Sequence, residues 1–345
     1  MSIQAFLFRQ VIRRSIKSPA VMGTIKNPMI PTEMGIAGVR GGINEALARI
    51  TRVPPFVQVQ DVDVGGVPAE WIRVPESDKD AVLIYLHGGA YVMGSAETHR
   101  NLAWRLAVKA RCRVLLVDYR LAPEHPYPAP VEDAIAAYDW VLEQGFDPSR
   151  IGIAGDSAGG GLTFATLAKI RDTDRPMPAV AFGISPWTDL ACTGKSLRTN
   201  AKADPMFDPG AIPRAVDFYL QGADPYDPYA SPLYADFEGF PPTMIHVGSS
   251  EILLDDARRL AHNMKEAGVM VELEVWRNMP HVWHVFAPFL PESTQAISRG
   301  ARFLLRHMAE GRERRSASIT YLESHREAPI SRAPRRHAKM SGDSK

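Results

Sequence analysis

The chain has 345 residues and a mass of 38.1 kDa, and its 45% hydrophobic and 23% charged side chains supply enough apolar surface for a full core. That composition excludes a wholly disordered chain, a fibrous repeat and a disulfide-stapled miniprotein. Forty basic against thirty-nine acidic side chains leave a net charge of +1, so no global field favours nucleic acid, and the basic excess is confined to residues 311–345.

Residues 1–55 read as helical and irregular, with Ile3, Phe6, Leu7 and Val11 on one helical face. This segment is expected to pack as part of a cap rather than on a membrane. Its apolar run is broken by Arg9 before a signal-peptide core can form, and no stretch reaches the ~18 consecutive apolar residues of a membrane span. The two cysteines, Cys112 and Cys192, suit a reducing compartment. A cytoplasmic protein without membrane or nucleic-acid partners is therefore expected.

From residue 56 to about 310, eight β-rich runs alternate with helical patterns: 57–64, 69–74, 81–87, 113–119, 150–155, 179–185, 243–248 and 270–276. The central runs are continuously apolar, as parallel strands buried on both faces should be. Between them, Val131, Ala134, Ile135, Tyr138, Val141 and Leu142 keep helical spacing up to Gly145, and Leu253 to Met264 do the same before Gly268. The pattern predicts one α/β sheet with helices on both faces. The interval of about 187–241 is too long for a simple crossover and holds Asp-Pro pairs at Asp204, Asp208, Asp224 and Asp227, so it reads as an inserted cap over the carboxyl edge of the sheet. After Met308 the chain loses periodicity, and residues 311–345 are expected to form a disordered basic tail.

Two motifs sit at strand ends. Gly155-Asp156-Ser157-Ala158-Gly159 matches G-x-S-x-G between a predicted strand and a predicted helix, the context in which a serine becomes an exposed nucleophile. Upstream, His87-Gly88-Gly89-Ala90-Tyr91 ends the 81–87 strand, and small residues there let backbone N–H groups of Gly88, Gly89 and Ala90 approach a substrate oxygen, with Ala158 supplying a further donor. His87 is expected to anchor that loop rather than to move protons.

With these motifs, with Asp118-Tyr119-Arg120-Leu121-Ala122-Pro123-Glu124-His125, and with Pro241-Pro242 leading into TMIHVG, the sequence resembles the hormone-sensitive-lipase-like (bacterial family IV) esterases of the α/β-hydrolase superfamily over about residues 57–308. The resemblance implies an α/β-hydrolase fold with a mostly parallel eight-stranded sheet and a helical cap, and hydrolysis of carboxylic esters by a Ser-His-acid triad without a cofactor. It also implies a small-molecule ester of short to medium acyl chain as substrate, and a homodimer through the edge strand 270–276. In place of the family's usual G-x-x-D-x-L-x-D-D this chain has Gly248-Ser249-Ser250-Glu251-Ile252-Leu253-Leu254-Asp255-Asp256, which makes Glu251 the expected acid and Asp255 the alternative. After the last strand, Pro280-His281-Val282-Trp283-His284 offers two histidines, of which His281 is favoured by its spacing and by likeness to the family's Gly-Met-x-His-x-Phe. His281 and His284 lack further ligands at metal spacing, so no metal is expected. Tyr91, Trp187, Met206, Phe207 and Trp283 are candidates to line an apolar pocket. His99, His246 and His262 read as ordinary surface or strand-end residues. Lactone opening and removal of an acetyl group from a small metabolite would use the same residues. A non-catalytic receptor on this fold is disfavoured by the presence of both Ser157 and His281.

Overall fold

The computed structural model describes residues 53–207 and 209–326, with Ser2, Gln10, Arg40 and Gly41; over 311–326 it describes the backbone alone. All eight expected strands form: β1 (Gln58–Asp63), β2 (Pro68–Arg73), β3 (Asp78–Leu86), β4 (Cys112–Val117), β5 (Ile151–Asp156), β6 (Val180–Ile184), β7 (Thr243–Gly248) and β8 (Val271–Trp276). They make one sheet in the order β1-β2-β4-β3-β5-β6-β7-β8, in which β2 runs antiparallel to both β1 and β4 and the other neighbours pair in parallel.

The strand alternation explains the continuous apolar runs. In β3, Val82, Ile84 and Leu86 enter one core, while Leu83 and Tyr85 enter the other. The first core is closed by α2 (Ala129–Glu143), α3 (Ser157–Asp172) and α6 (Leu254–Glu266); the second by α1 (Ala96–Ala110) and α7 (Pro291–Arg326). Ser95 caps α1 through a reciprocal pair with Thr98, satisfying N–H groups that the first turn leaves open. Helix α6 ends at Glu266, just before Gly268, which has φ +80°.

The interval 187–241 contains α4 (Ser196–Thr199), α5 (Ile212–Leu220) and short 3₁₀ turns at 209–211 and 232–234. It is bound to the sheet domain at defined points. The Asp256 carboxylate accepts the N–H groups of Thr188 and Asp189 at 2.9 and 3.0 Å, and the Tyr219 ring stacks on Tyr91 with centroids 3.8 Å apart. From the N-terminal segment, Arg40 donates to the carbonyls of Val92 and Ala122 and pairs with Glu124. The rest of the expected N-terminal helix lies outside the described residues.

One boundary differs from the sequence reading. Helix α7 continues to Arg326, well past Met308, because Glu, Arg and Ala sustain a helix by propensity where no apolar stripe does. Residues 327–345 lie outside the described residues. Among the described residues no helix is long and apolar enough to cross a membrane.

Candidate active site

Strands β5, β6, β7 and β8 all deliver their carboxyl ends to one edge of the sheet, and the candidate residues gather there. Ser157 is the first residue of α3 and has φ +54°, a left-handed geometry costly for a residue with a Cβ. The turn is possible because Gly155 and Gly159, two residues to either side, lack side chains: a Cβ on Gly159 would stand 2.0 Å from the Leu86 carbonyl oxygen. Ser157 is buried, and its carbonyl accepts the Trp187 N–H at 2.9 Å, which fixes the elbow against the loop after β6.

The His87–Tyr91 loop follows β3 on the same edge. Gly89 (φ +132°), Ala90 (φ +56°) and Tyr91 (φ +62°) form a left-handed run, and a Cβ on Gly89 would meet the Met93 carbonyl oxygen at 2.0 Å. The N–H groups of Gly89 and Ala90 make no hydrogen bond among the described residues, whereas the Gly88 N–H donates to Asp156 Oδ1 at 3.1 Å. Gly88 thus spends its donor inside the loop's own support. Ala158 lies in the first turn of α3, where N–H groups have no intrahelical acceptor. His87 stacks on Tyr119 at 4.2 Å and its Nδ1 lies 2.9 Å from the Gly88 carbonyl; burial, aided by the charge of His99, depresses its pKa to about 3, so it stays neutral.

Glu251 and His281 meet directly, with Oε2 2.7 Å from Nδ1 and both side chains buried. The other oxygen, Oε1, accepts from Ser185 Oγ at 2.8 Å and from the Gly248 N–H at 2.6 Å. Three donors therefore hold the carboxylate, and the longer glutamate arm is absorbed by the loop. The two serines ahead of Glu251 clamp the histidine loop: Ser249 Oγ accepts the Asn278 N–H at 2.9 Å, and Ser250 Oγ donates to the Met279 carbonyl at 3.0 Å. Nε2 of His281 is buried without a hydrogen-bond partner among the described residues. Asp255, the alternative acid, is engaged elsewhere: its Oδ2 accepts the Ser196 N–H and its own N–H donates to Ser196 Oγ, a mutual cap between α6 and α4. His284 bonds His246 at 3.0 Å, and burial holds the pKa of both below the usual histidine range.

Of the pocket candidates, Phe207 and Met206 are half-buried, and the Phe207 ring stands edge-on to His281 with centroids 4.6 Å apart. Tyr91, Trp187 and Trp283 are buried in the core; Trp283 packs among His246, Trp276 and His284. Several residues of the site escaped the sequence reading. Ser185 bridges Glu251 and the Val282 N–H. Asp204 accepts the N–H groups of Met206 and Phe207 on one oxygen and that of Ile252 on the other, tying the 204–207 turn to the acid loop. His99 is not a surface or strand-end residue: it is buried on α1, 3.3 Å from Asp156.

Comparison with known proteins agrees with this architecture. Residues 83–285 match the alpha/beta hydrolase fold family. An acetyl-hydrolase of Streptomyces hygroscopicus is 47% identical over 72% of this chain and 83% of its own length, and an esterase of Acinetobacter venetianus is 33% identical over 86% and 95%. Among solved structures, an esterase/lipase from an uncultured bacterium superposes with a TM-score of 0.82 at 43% identity, covering 90% of this chain and all of the other. An esterase from the bacterial hormone-sensitive lipase family gives 0.81 at 44% identity, covering 89% of this chain and 99% of the other. A third, EstE5 soaked with p-nitrophenyl butyrate, gives 0.83 at 43%, covering 90% and 100%. The chain belongs to the α/β-hydrolase family, in its hormone-sensitive-lipase-like branch. It is a carboxylic ester hydrolase.

Proposed function

We propose that the protein hydrolyses small carboxylic esters of short to medium acyl chain through an acyl-enzyme on Ser157, with His281 as the base and Glu251 as its orienting acid. The observation that carries this reading is the buried Glu251–His281 bond, which leaves Nε2 without a partner at the sheet edge that holds the strained Ser157. Nε2 takes the Ser157 hydroxyl proton as Oγ attacks the ester carbonyl carbon. The resulting oxyanion lies against the N–H groups of Gly89, Ala90 and Ala158. As the carbon–oxygen bond to the alcohol breaks, the imidazolium returns the proton to the leaving alkoxide. Water then gives a proton to Nε2 and attacks the acyl carbon, and Ser157 departs with its proton restored, releasing the acid. Glu251 stabilises the imidazolium and fixes Nδ1–H throughout.

In this reading the 187–241 interval and the N-terminal segment form a cap, supported by the contact of Phe207 with His281 and by the attachment of Arg40 to the 122–124 loop. Met206 and Phe207 line the acyl pocket. Removal of an acetyl group from a small metabolite is the second reading, favoured by the likeness to the S. hygroscopicus acetyl-hydrolase. A homodimer is formed through the outer edge of β8, where Met270 and Val275 are exposed. A cytoplasmic location is supported by the two free thiols, Cys112 and Cys192. The test is hydrolysis of p-nitrophenyl esters from acetate to palmitate by wild type, Ser157→Ala and Glu251→Ala. Turnover of short esters that both variants lose supports the reading; turnover retained in Ser157→Ala overturns it.

A further inference from the structure

The opposite edge of the sheet carries a second cleft, of about 560 Å³. Arg150 lines it and immediately precedes β5, whereas Ser157 follows the far end of that strand, so a strand length of about 20 Å separates the cleft from the proposed nucleophile. Its apolar wall is aromatic: Trp71 of β2, Trp140 of α2 and Phe146 just after α2, with the Trp71 centroid 6.1 Å from each of the other two rings. Trp71 is buried, while Trp140 and Phe146 are half-buried and leave ring surface on which a ligand can stack.

Beside these rings stand arginines without acids. Side chains two apart share a face of a strand, so Arg73 lies on the face of Trp71, and Arg113 on that of Leu115, within one core layer. The register that pairs Trp71 with Leu115 and Ile72 with Val114, carried one residue further, sets Arg73 opposite Arg113 on neighbouring strands. Two like charges so placed repel, and burial together with the charge of Arg113 lowers the Arg73 pKa. The Arg113 side chain makes neither an ion pair nor a hydrogen bond among the described residues; its guanidinium carbon lies 6.0 Å from the Phe146 centroid. Arg73 donates one terminal nitrogen to Gln60 Oε1 at 2.7 Å, and its buried Nε has no partner among the described residues. Arg150 is tied by Asp78 and by the Met308 carbonyl, yet its Nε is buried without a partner too. Of the remaining charges at the cleft, Lys79 and Asp80 are exposed neighbours in sequence, and Asp147 accepts the N–H and hydroxyl of Ser149. A guanidinium can only donate, so what completes Arg73 and Arg113 is an acceptor carrying negative charge.

We propose that this cleft binds a small planar aromatic anion, a ring system bearing a carboxylate or phosphate group, with its ring against Trp140 and Phe146 and its anionic oxygens between Arg73 and Arg113. The volume suits such a molecule, since small-molecule pockets run from about 300 to 1,000 Å³. Guanidinium carbons stand 5.4 Å from the Trp71 centroid and 6.0 Å from that of Phe146, so the anionic group sits close to the ring that carries it. An aliphatic anion would leave the aromatic wall uncovered, and a neutral arene would leave the two arginines uncompensated. None of these residues belongs to the proposed triad, so the site stands whether or not Ser157 is the nucleophile.

The test is calorimetric titration of the full chain with 1-naphthoate and with 1-naphthyl phosphate, repeated in Arg113→Gln and in the double variant with Arg73→Gln. The neutral ring 1-naphthalenemethanol and inorganic phosphate serve as the two halves of the ligand. At least one naphthyl anion is expected to bind saturably at one site per chain, and the arm that binds identifies the anionic group. Each half-ligand should bind at least about 10-fold more weakly, and Arg113→Gln should weaken the naphthyl anion by about 10- to 100-fold, the worth of a hydrogen bond to a charged group. Should the variants fail to fold, the indole N–H resonances of wild type read the site directly. Those of Trp71 and Trp140 shift along the titration, whereas those of Trp187, whose backbone N–H bonds the Ser157 carbonyl, and of Trp283, two residues after His281, do not. No saturable binding of either anion at millimolar concentration, a half-ligand that binds as tightly as the anions, or an affinity unchanged in Arg113→Gln overturns the proposal. Shifts confined to Trp187 and Trp283 also overturn it, by placing the anion at the proposed ester site.

Discussion

The ring of Phe207 stands edge-on to the imidazole of His281, 4.6 Å between centroids and 74° between planes. The contact joins the 187–241 interval to the proposed base. An aromatic pair of this kind contributes about 0.5–1.5 kcal/mol beyond its buried area, roughly a 2- to 10-fold effect on a rate constant. Phe207→Ala is therefore expected to lower kcat/KM for p-nitrophenyl butyrate by that factor, while Phe207→Tyr keeps most of it. Steady-state kinetics on both variants check it; equal losses in the two would show that the ring contact is not what matters.

The acid should prove sensitive to length as well as charge. Glu251→Gln removes the charge that stabilises the imidazolium and is expected to cost about 10³- to 10⁴-fold in kcat, in line with the loss of a triad acid elsewhere. Glu251→Asp keeps the charge but withdraws it by one methylene from Ser185, Gly248 and His281, and an intermediate loss of about 10- to 100-fold is expected. Single-turnover rates on the acylation step measure both. An Asp variant as poor as the Gln variant would mean that reach, not charge, governs the site.

How much of this could be read from the chain in advance follows from the range of each interaction. Strand runs such as 81–87 and the helix ending at Gly145 announce themselves within a dozen residues, and the turn around Ser157 is a local motif, so the fold and the place of the proposed nucleophile were both legible. The acid was legible only by its position after β7, against a pattern that favours aspartate there. Ser185, Asp204 and His99 were invisible because their partners lie 66, 48 and 57 residues away, at Glu251, Ile252 and Asp156, and no local period marks a residue for a contact made only after the sheet has closed.

Asp256 gives a stability prediction with a definite sign. Burial, reinforced by the nearby charge of Asp189, pushes its pKa up to about 8, although the N–H groups of Thr188 and Asp189 favour the charged form. A folded pKa above the unfolded value of about 3.9 means that the native state binds the extra proton, so its contribution is fully present below about pH 4 and is lost as pH rises toward 8. The melting temperature of wild type relative to Asp256→Asn should therefore fall between pH 5 and pH 9. Calorimetry across that range decides it; a difference independent of pH would show that Asp256 is ionised in the fold.

The thiols should be inert. Burial raises Cys112 to about 12 and Cys192 to about 11, in the latter case with help from Asp189. Neither is expected to react with a disulfide reagent at pH 8 within an hour, and ester hydrolysis should be unaffected, while both react in guanidinium chloride. Absorbance at 412 nm with Ellman's reagent measures the count; rapid labelling in the native protein would contradict the packing around Cys112.

The edge of β8 offers a last check. Sedimentation of the full chain at micromolar concentration is expected to give twice the 38.1 kDa chain mass, and Val275→Glu to halve it. A 38.1 kDa species for wild type excludes the β8 dimer.

The close fit beneath Ser157 has a consequence for how such a protein could change its diet. A methyl group on Gly155, Gly159 or Gly161 would fall within 2.2 Å of a backbone oxygen belonging to Gly159, Leu86 or Trp187. The floor of the proposed catalytic chamber is thus a fixed template, and a mutational library spread evenly over the chain would waste its diversity there. The proposed roof is held differently: Asp204, which also accepts the Ile252 N–H of the acid loop, fixes the turn, while the half-buried side chains of Met206 and Phe207 that it carries can be exchanged without moving a strand. New substrate tastes should accordingly arise at Met206 and Phe207, with the elbow unaltered.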